Sequence, residues 1–120
     1  MPGKFCVSLT HAKDNADKAT VAFAVANAAV SSKRETVVFL SVEGVRLAQA
    51  GYSEGIHEEG FPTLKELIET FTAAGGKILV CTPCLKKRGL DDSNLIAGAR
   101  LASGIELVEF MAEGCATVSY

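Results

Sequence analysis

Tryptophan is absent from this 120-residue sequence, and aromatic residues amount to only 7%. A core with so few large rings has to be assembled from Ala, Val, Leu and Ile, which a hydrophobic fraction of 48% supplies. An excess of one charge is also lacking: 12 Lys and Arg stand against 14 Asp and Glu, for a formal net charge of -2. That balance leaves no electrostatic footprint for nucleic acid or an anionic membrane. The one basic cluster, Lys86-Lys87-Arg88, is too short to argue for a polyanion partner. No uninterrupted apolar stretch reaches the roughly 18 residues that a membrane-spanning helix needs. The longest candidate, Ala16 to Val30, is broken by Lys18, Thr20 and Asn27. The opening Met-Pro-Gly-Lys-Phe lacks the basic and apolar regions of a signal peptide. There is no GxGxxG after the first strand-like run, no phosphate loop and no GxSxG elbow, so classical nucleotide binding and serine-hydrolase chemistry have no support. Cysteine is scarce too, with four residues scattered at positions 6, 81, 84 and 115. This scatter argues against a disulfide framework and for a reducing, cytoplasmic setting.

What is present alternates between strand and helix. Phe5 to Leu9 is a short apolar strand, followed by a polar break in which Asp14 or Asn15 can cap a helix with Asp17 in its first turn. That Ala-rich helix is almost apolar all round and should be covered on most sides. Glu35 to Ser41 is dense in β-branched and aromatic residues and reads as a buried strand. A short helix is expected from Gly44 to Ala50, then a glycine-rich surface loop from Gly51 to Pro62. Thr63 opens a clean amphipathic helix: Leu64, Leu67, Ile68 and Phe71 recur at helical spacing, and Thr63 with Glu66 forms a capping box. Gly75-Gly76 ends it, and Lys77 to Cys81 is the next strand, apolar enough to be covered on both faces. Asn94 to Leu101 fits strand or helix by pattern alone. Ser103 to Ala112 reads as a helix stopped near Gly114, and Cys115 to Tyr120 as a final strand. No repeat, linker or composition shift divides the chain, so residues 1–120 are expected to form one domain. Its class should be α/β, a layer sandwich around a mainly parallel sheet.

The chemistry is expected at Cys81-Thr-Pro-Cys84. In an open parallel sheet, reacting groups collect outside the carboxyl ends of the strands. Cys81 falls at such an end, and Cys84 enters the turn or helix that follows. A helix start should lower a thiol pKa there, and Lys86, Lys87 and Arg88 add cationic stabilisation if they fold back. The i, i+3 spacing brings both sulfurs to one side of a helical turn. A structural zinc site needs four ligands, which only His11, His57, Cys6 and Cys115 could complete, so no metal is expected. No cofactor is expected either. A thioredoxin-like site would place its motif after an early strand, not two-thirds of the way along the chain. Cys6 and Cys115, both in strand runs, are expected to be buried core thiols. His57, beside Glu58 and Glu59, could bring an acid-base group from its loop, although loop histidines are more often simply solvated.

From the Ala-rich helix through TVVFLSVEGVRLAQAG to FPTLKELIETFTAAGGKILVCTPCLKKRGL, most of the chain resembles the DsrE/DsrF-like sulfur-relay proteins. The resemblance implies a flavodoxin-like three-layer fold whose sheet has five strands, with the Asn94–Leu101 segment supplying one. It also implies homo-oligomers, trimeric or hexameric. Val80-Cys81 and Arg88-Gly89 match the spacing of the TusD-like branch. That match implies a cytoplasmic sulfurtransferase or persulfide carrier, with Cys81 as sulfur acceptor, Cys84 as its partner, and sulfur donor and acceptor proteins as partners. The alternatives are a non-catalytic oligomeric interaction module and a CxxC dithiol/disulfide reductase.

Overall fold

In the computed structural model, which describes residues 3–120, five parallel strands form one sheet in the order β4-β3-β2-β1-β5. They are β1 (Lys4–Leu9), β2 (Glu35–Leu40), β3 (Lys77–Cys81), β4 (Ala99–Ala102) and β5 (Cys115–Ser119). The helices are α1 (Ala16–Ser31), α2 (Leu64–Ala73), α3 (Thr82–Lys87) and α4 (Gly104–Ala112). Met1 and Pro2, part of the opening read above for a leader, lie outside the described residues. The expected three-layer, flavodoxin-like α/β domain is therefore what the chain forms, with every strand parallel. Of the Asn94–Leu101 segment, Asn94 ends a 3-10 turn over Asp92–Asn94, and the strand β4 begins only at Ala99. No helix among the described residues is long and apolar enough to cross a membrane.

Pleat parity separates two faces. Val7, Leu9, Val38, Leu40, Ile78 and Val80 point to one face, where Phe23 of α1 and Phe71 of α2 meet edge-on with ring centroids 6.0 Å apart. Asn27, which interrupts the apolar run of α1, donates to the carbonyls of Phe23 and Leu67 and so ties α1 to α2. The opposite face carries Cys6, Val37, Phe39, Leu79 and Ala102, covered by Leu107 and Phe110 of α4. This second layer is thin, since α4 buries none of its residues fully. Cys115 on edge strand β5 is accordingly only half-buried, unlike the core thiol expected of it, whereas Cys6 on the inner strand is 1% exposed.

Helix ends follow the sequence signals. Asn15 caps α1, and Thr63 and Glu66 form the reciprocal capping box of α2. The expected Gly44–Ala50 helix starts earlier, as a 3-10 segment over Val42–Ala48. Within α1 the Thr20 hydroxyl is fully buried and finds no hydrogen-bond partner. A buried hydroxyl without a partner carries its whole desolvation cost. Thr20→Val keeps the shape and removes that cost, so it is expected to stabilise the fold by about 1 kcal/mol in urea unfolding.

Candidate functional site

Because all strands run parallel, their carboxyl ends share one edge of the sheet, and there β3 delivers Cys81 and the first turn of α3 delivers Cys84. Pro83 in that turn has the fixed φ that suits a helix start. The Thr82 hydroxyl donates to the Ala102 carbonyl at 3.2 Å and fastens the turn to β4. The thiols thus lie at the carboxyl edge, as expected, but two strands away from the switch point between β1 and β5, where such sheets usually hold ligands.

Both cysteines are half-buried and reduced, and their sulfurs face each other. Their acidities diverge. Burial pushes the Cys81 thiol above its usual range, and its hydrogen bond to the Cys84 sulfur pushes it further, while the Cys84 backbone N–H and Arg88 pull only weakly the other way. Burial also opposes ionisation of Cys84. There, however, donation from Cys81, the backbone N–H of Val42 and the charges of Arg88 and Lys87 outweigh it and hold the thiol below its usual range. A helix start was expected to favour the thiolate at Cys81. In a helix of six residues that influence is small, and desolvation wins.

The basic run divides as well. Arg88 turns back, its Nε donating to Glu43 Oε2 at 2.6 Å and Nη1 to the Cys84 carbonyl at 3.1 Å. Glu43 also accepts from Arg46 at 2.8 Å, and these two guanidinium partners hold its carboxyl below the usual carboxylate range. Lys86 and Lys87 remain exposed. Val42 and Glu43 belong to this site although the sequence reading did not single them out. Their positions beside Cys84 and Arg88 depend on contacts across some forty residues, for which no local pattern exists.

The other candidates lie apart from the pair. His57 Nε2 donates to the Phe61 carbonyl at 2.8 Å and closes its own loop. His11 Nδ1 sits 2.7 Å from Asp14 Oδ2, beyond the end of β1. Cys6 pairs with Thr117 and Cys115 with Lys4 across β1 and β5, away from the pair, and burial raises the Cys6 pKa to about 11. Among the described residues no group of His, Cys, Asp and Glu gathers as a metal site would require.

Comparison with known proteins places this geometry in context. The model of the DsrE/DsrF-like family matches residues 3–120. The uncharacterised protein MJ0989 of Methanocaldococcus jannaschii is 32% identical over 117 residues, covering 98% of this chain and 99% of that protein. A second protein of that organism, the uncharacterised MJ0760, is 28% identical over 99 residues; 82% of this chain matches, spanning only 36% of that protein's length. Among solved structures, the ychN protein from E. coli superposes over the whole of both chains with a TM-score of 0.81 at 17% identity. MTH1491 from Methanobacterium thermoautotrophicum, a protein of unknown function, does so with a TM-score of 0.70 at 15% identity. At these identities the two structures speak to the fold.

Proposed function

The chain belongs to the DsrE/DsrF-like family, and from that premise we propose that it is a sulfur-relay protein carrying sulfane sulfur as a persulfide at Cys81 and Cys84. The observation that supports this reading is the facing pair of free thiols at the end of β3, one favoured as thiolate and the other as its hydrogen-bond donor. In the proposed step the Cys84 thiolate attacks the terminal sulfur of a donor persulfide, R–S–SH. A sulfur–sulfur bond forms at Cys84, the donor's own sulfur–sulfur bond breaks, and the donor departs as the thiolate R–S⁻. An acceptor thiolate then attacks the outer sulfur of Cys84–S–SH and restores the Cys84 thiolate. Nothing is oxidised or reduced overall. Family spacing gives the accepting role to Cys81; the acidities favour exchanging the two roles.

Sulfane sulfur released by cyanolysis, after exposure to a low-molecular-weight persulfide and desalting, tests the reading. The wild type is expected to load about one sulfur per chain and Cys81→Ser/Cys84→Ser none. Equal loading of the two would sink the proposal and favour a non-catalytic interaction module. A Cys81–Cys84 disulfide formed in place of a persulfide would favour a dithiol reductase. We also propose that copies of the chain associate through α4, whose Ile105 and Val108 are 73% and 63% exposed on the thinly covered face.

A further inference from the structure

The two edge strands of the sheet are guarded differently. An open edge presents unpaired N–H and C=O groups to any extended segment that reaches it, and proteins usually blunt it with charge, proline, a bulge or a covering element. At one edge β4 is short and carries Arg100, whose guanidinium pairs with Glu106 of α4. At the other, β5 reads Cys-Ala-Thr-Val-Ser and has no charge, proline or glycine. It pairs with β1 residue for residue, from Lys4 with Cys115 to Ser8 with Ser119, so no bulge interrupts it. No strand among the described residues lies beyond it, and Ala116, Thr117 and Ser119 are exposed.

The bonds at the end of β5 tell which main-chain groups face outward. Tyr120 N–H donates to the Ser8 carbonyl at 2.8 Å, and the Tyr120 carbonyl accepts from Thr10 N–H at 3.0 Å. Both groups of Tyr120 are thus turned to β1. Main-chain direction alternates along a strand, so Val118 and Ala116 bond β1 as well, while Cys115, Thr117 and Ser119 turn their N–H and C=O away from the sheet. This outward set is symmetric about Thr117. Laid antiparallel against itself, the edge sets Thr117 opposite Thr117 and Cys115 opposite Ser119, each pair of the kind that exchanges both of its hydrogen bonds.

We propose that β5 is a two-fold interface, at which a second copy of this chain adds its own β5 antiparallel and continues the sheet across both molecules. The symmetry of the outward set is what names the occupant. A foreign strand is selected through pockets for its alternate side chains, whereas β5 offers the small side chains of Ala116, Thr117 and Ser119. The facing side chains carry no charge, and a Thr–Thr pair is a favourable cross-strand neighbour. The contact closes on itself, so an assembly built with it holds an even number of copies. Its axis stands perpendicular to the sheet, which brings both α4 helices to the same face. The thiols take no part: β3 lies three strands from β5, which sets the two thiol pairs roughly 30 Å apart across the joined sheet. The proposal therefore does not rest on the relay reading.

Sedimentation equilibrium of the full chain tests it. The wild type is expected to hold an even number of copies. Thr117→Lys, which sets like charges directly opposite one another, should halve the mass of the assembly. Thr117→Pro should do the same, because it removes an outward N–H and spares the ladder to β1. Thr117→Cys in a Cys115→Ser background should form a disulfide between copies at position 117 on mild oxidation, identified by peptide mass. Directly opposed Cα atoms about 5.5 Å apart lie within disulfide reach. A monomer, an odd-numbered assembly, or an even-numbered one whose mass either folded substitution leaves unchanged would overturn the proposal, the last assigning the contact to α4 alone. Absence of the crosslink overturns it too, and decides the matter if neither substituted chain folds.

Discussion

Phe71→Ala is expected to destabilise the protein by about 3–5 kcal/mol and to lower its melting temperature by ~15 °C, measured by urea and thermal unfolding. The ring is fully buried where α2 meets α1 and lies edge-on to Phe23 at an interplanar angle of 75°. Small residues dominate the buried face of α1, with Ala19, Ala22, Ala26 and Ala29 around Phe23. Few side chains there could move into the vacated space, so the cost should fall toward the upper part of the range. A second constraint identifies the mechanism. A Cβ at Gly76, just before β3, would lie 2.3 Å from the Phe71 ring, and the packed ring has no room to retreat. Gly76→Ala alone should therefore cost about 1–3 kcal/mol by overpacking. In the Phe71→Ala background the obstruction is gone, so the two losses should fall short of additivity by about 1 kcal/mol or more. Strictly additive losses would show that the ring and the glycine do not constrain one another. Gly76 leads directly into β3, the strand that carries Cys81.

Phe71 and Gly76 also mark how far the fold could be read from the sequence. Leu64, Leu67, Ile68 and Phe71 share one face of a helix by spacing alone, and the capping box at Thr63 and Glu66 fixes where it begins; both signals lie within a dozen residues. The strands β1, β2 and β3 were legible for a similar reason, because inner strands covered on both faces are continuously apolar. At the sheet edges this signal fades. Only Ala102 of β4 is fully buried, and β5 has no fully buried residue, so Asn94–Leu101 stayed ambiguous and Cys115 lost the burial expected of it. At the site, the strand end, the proline turn and the two cysteines were visible in a single four-residue motif. What distinguishes the two thiols was not. It depends on the burial of Cys81, on Arg88 reaching Glu43 and on the Val42 N–H meeting Cys84. A left-handed backbone at Val42 runs against every local preference of valine, so only the tertiary contacts of Ser41 and Gly44 with Leu9 can reveal it.

If Cys84 is the attacking sulfur, Cys84→Ser should reduce sulfane loading by roughly two orders of magnitude or more, as loss of a covalent nucleophile does. Cys81→Ser should only slow loading, because the serine hydroxyl can still donate a hydrogen bond to Cys84. The pH dependence of alkylation separates the two thiols in the wild type. The Cys84 thiol is held below its usual range, so its rate should rise with pH and level off earlier than that of an ordinary thiol. The Cys81 thiol is pushed above its usual range, so its rate should still be climbing where that of Cys84 has levelled off. Cys6, buried and raised to about 11, should remain unmodified at neutral pH and serve as an internal control for unfolding. Peptide mapping after brief exposure to iodoacetamide at pH 7 should accordingly find the label on Cys84 ahead of Cys81. Replacing Cys84 by serine also removes the nearby negative charge that helps raise the Cys81 pKa, leaving burial as the main opposing influence. The remaining thiol should therefore titrate lower in Cys84→Ser than in the wild type, while loading remains near background. The opposite pattern, with loading abolished by Cys81→Ser and preserved in Cys84→Ser, would return the accepting role to Cys81. The hydrogen bond between the sulfurs would then serve the leaving step, with Cys84 as the thiolate that takes sulfur from its neighbour.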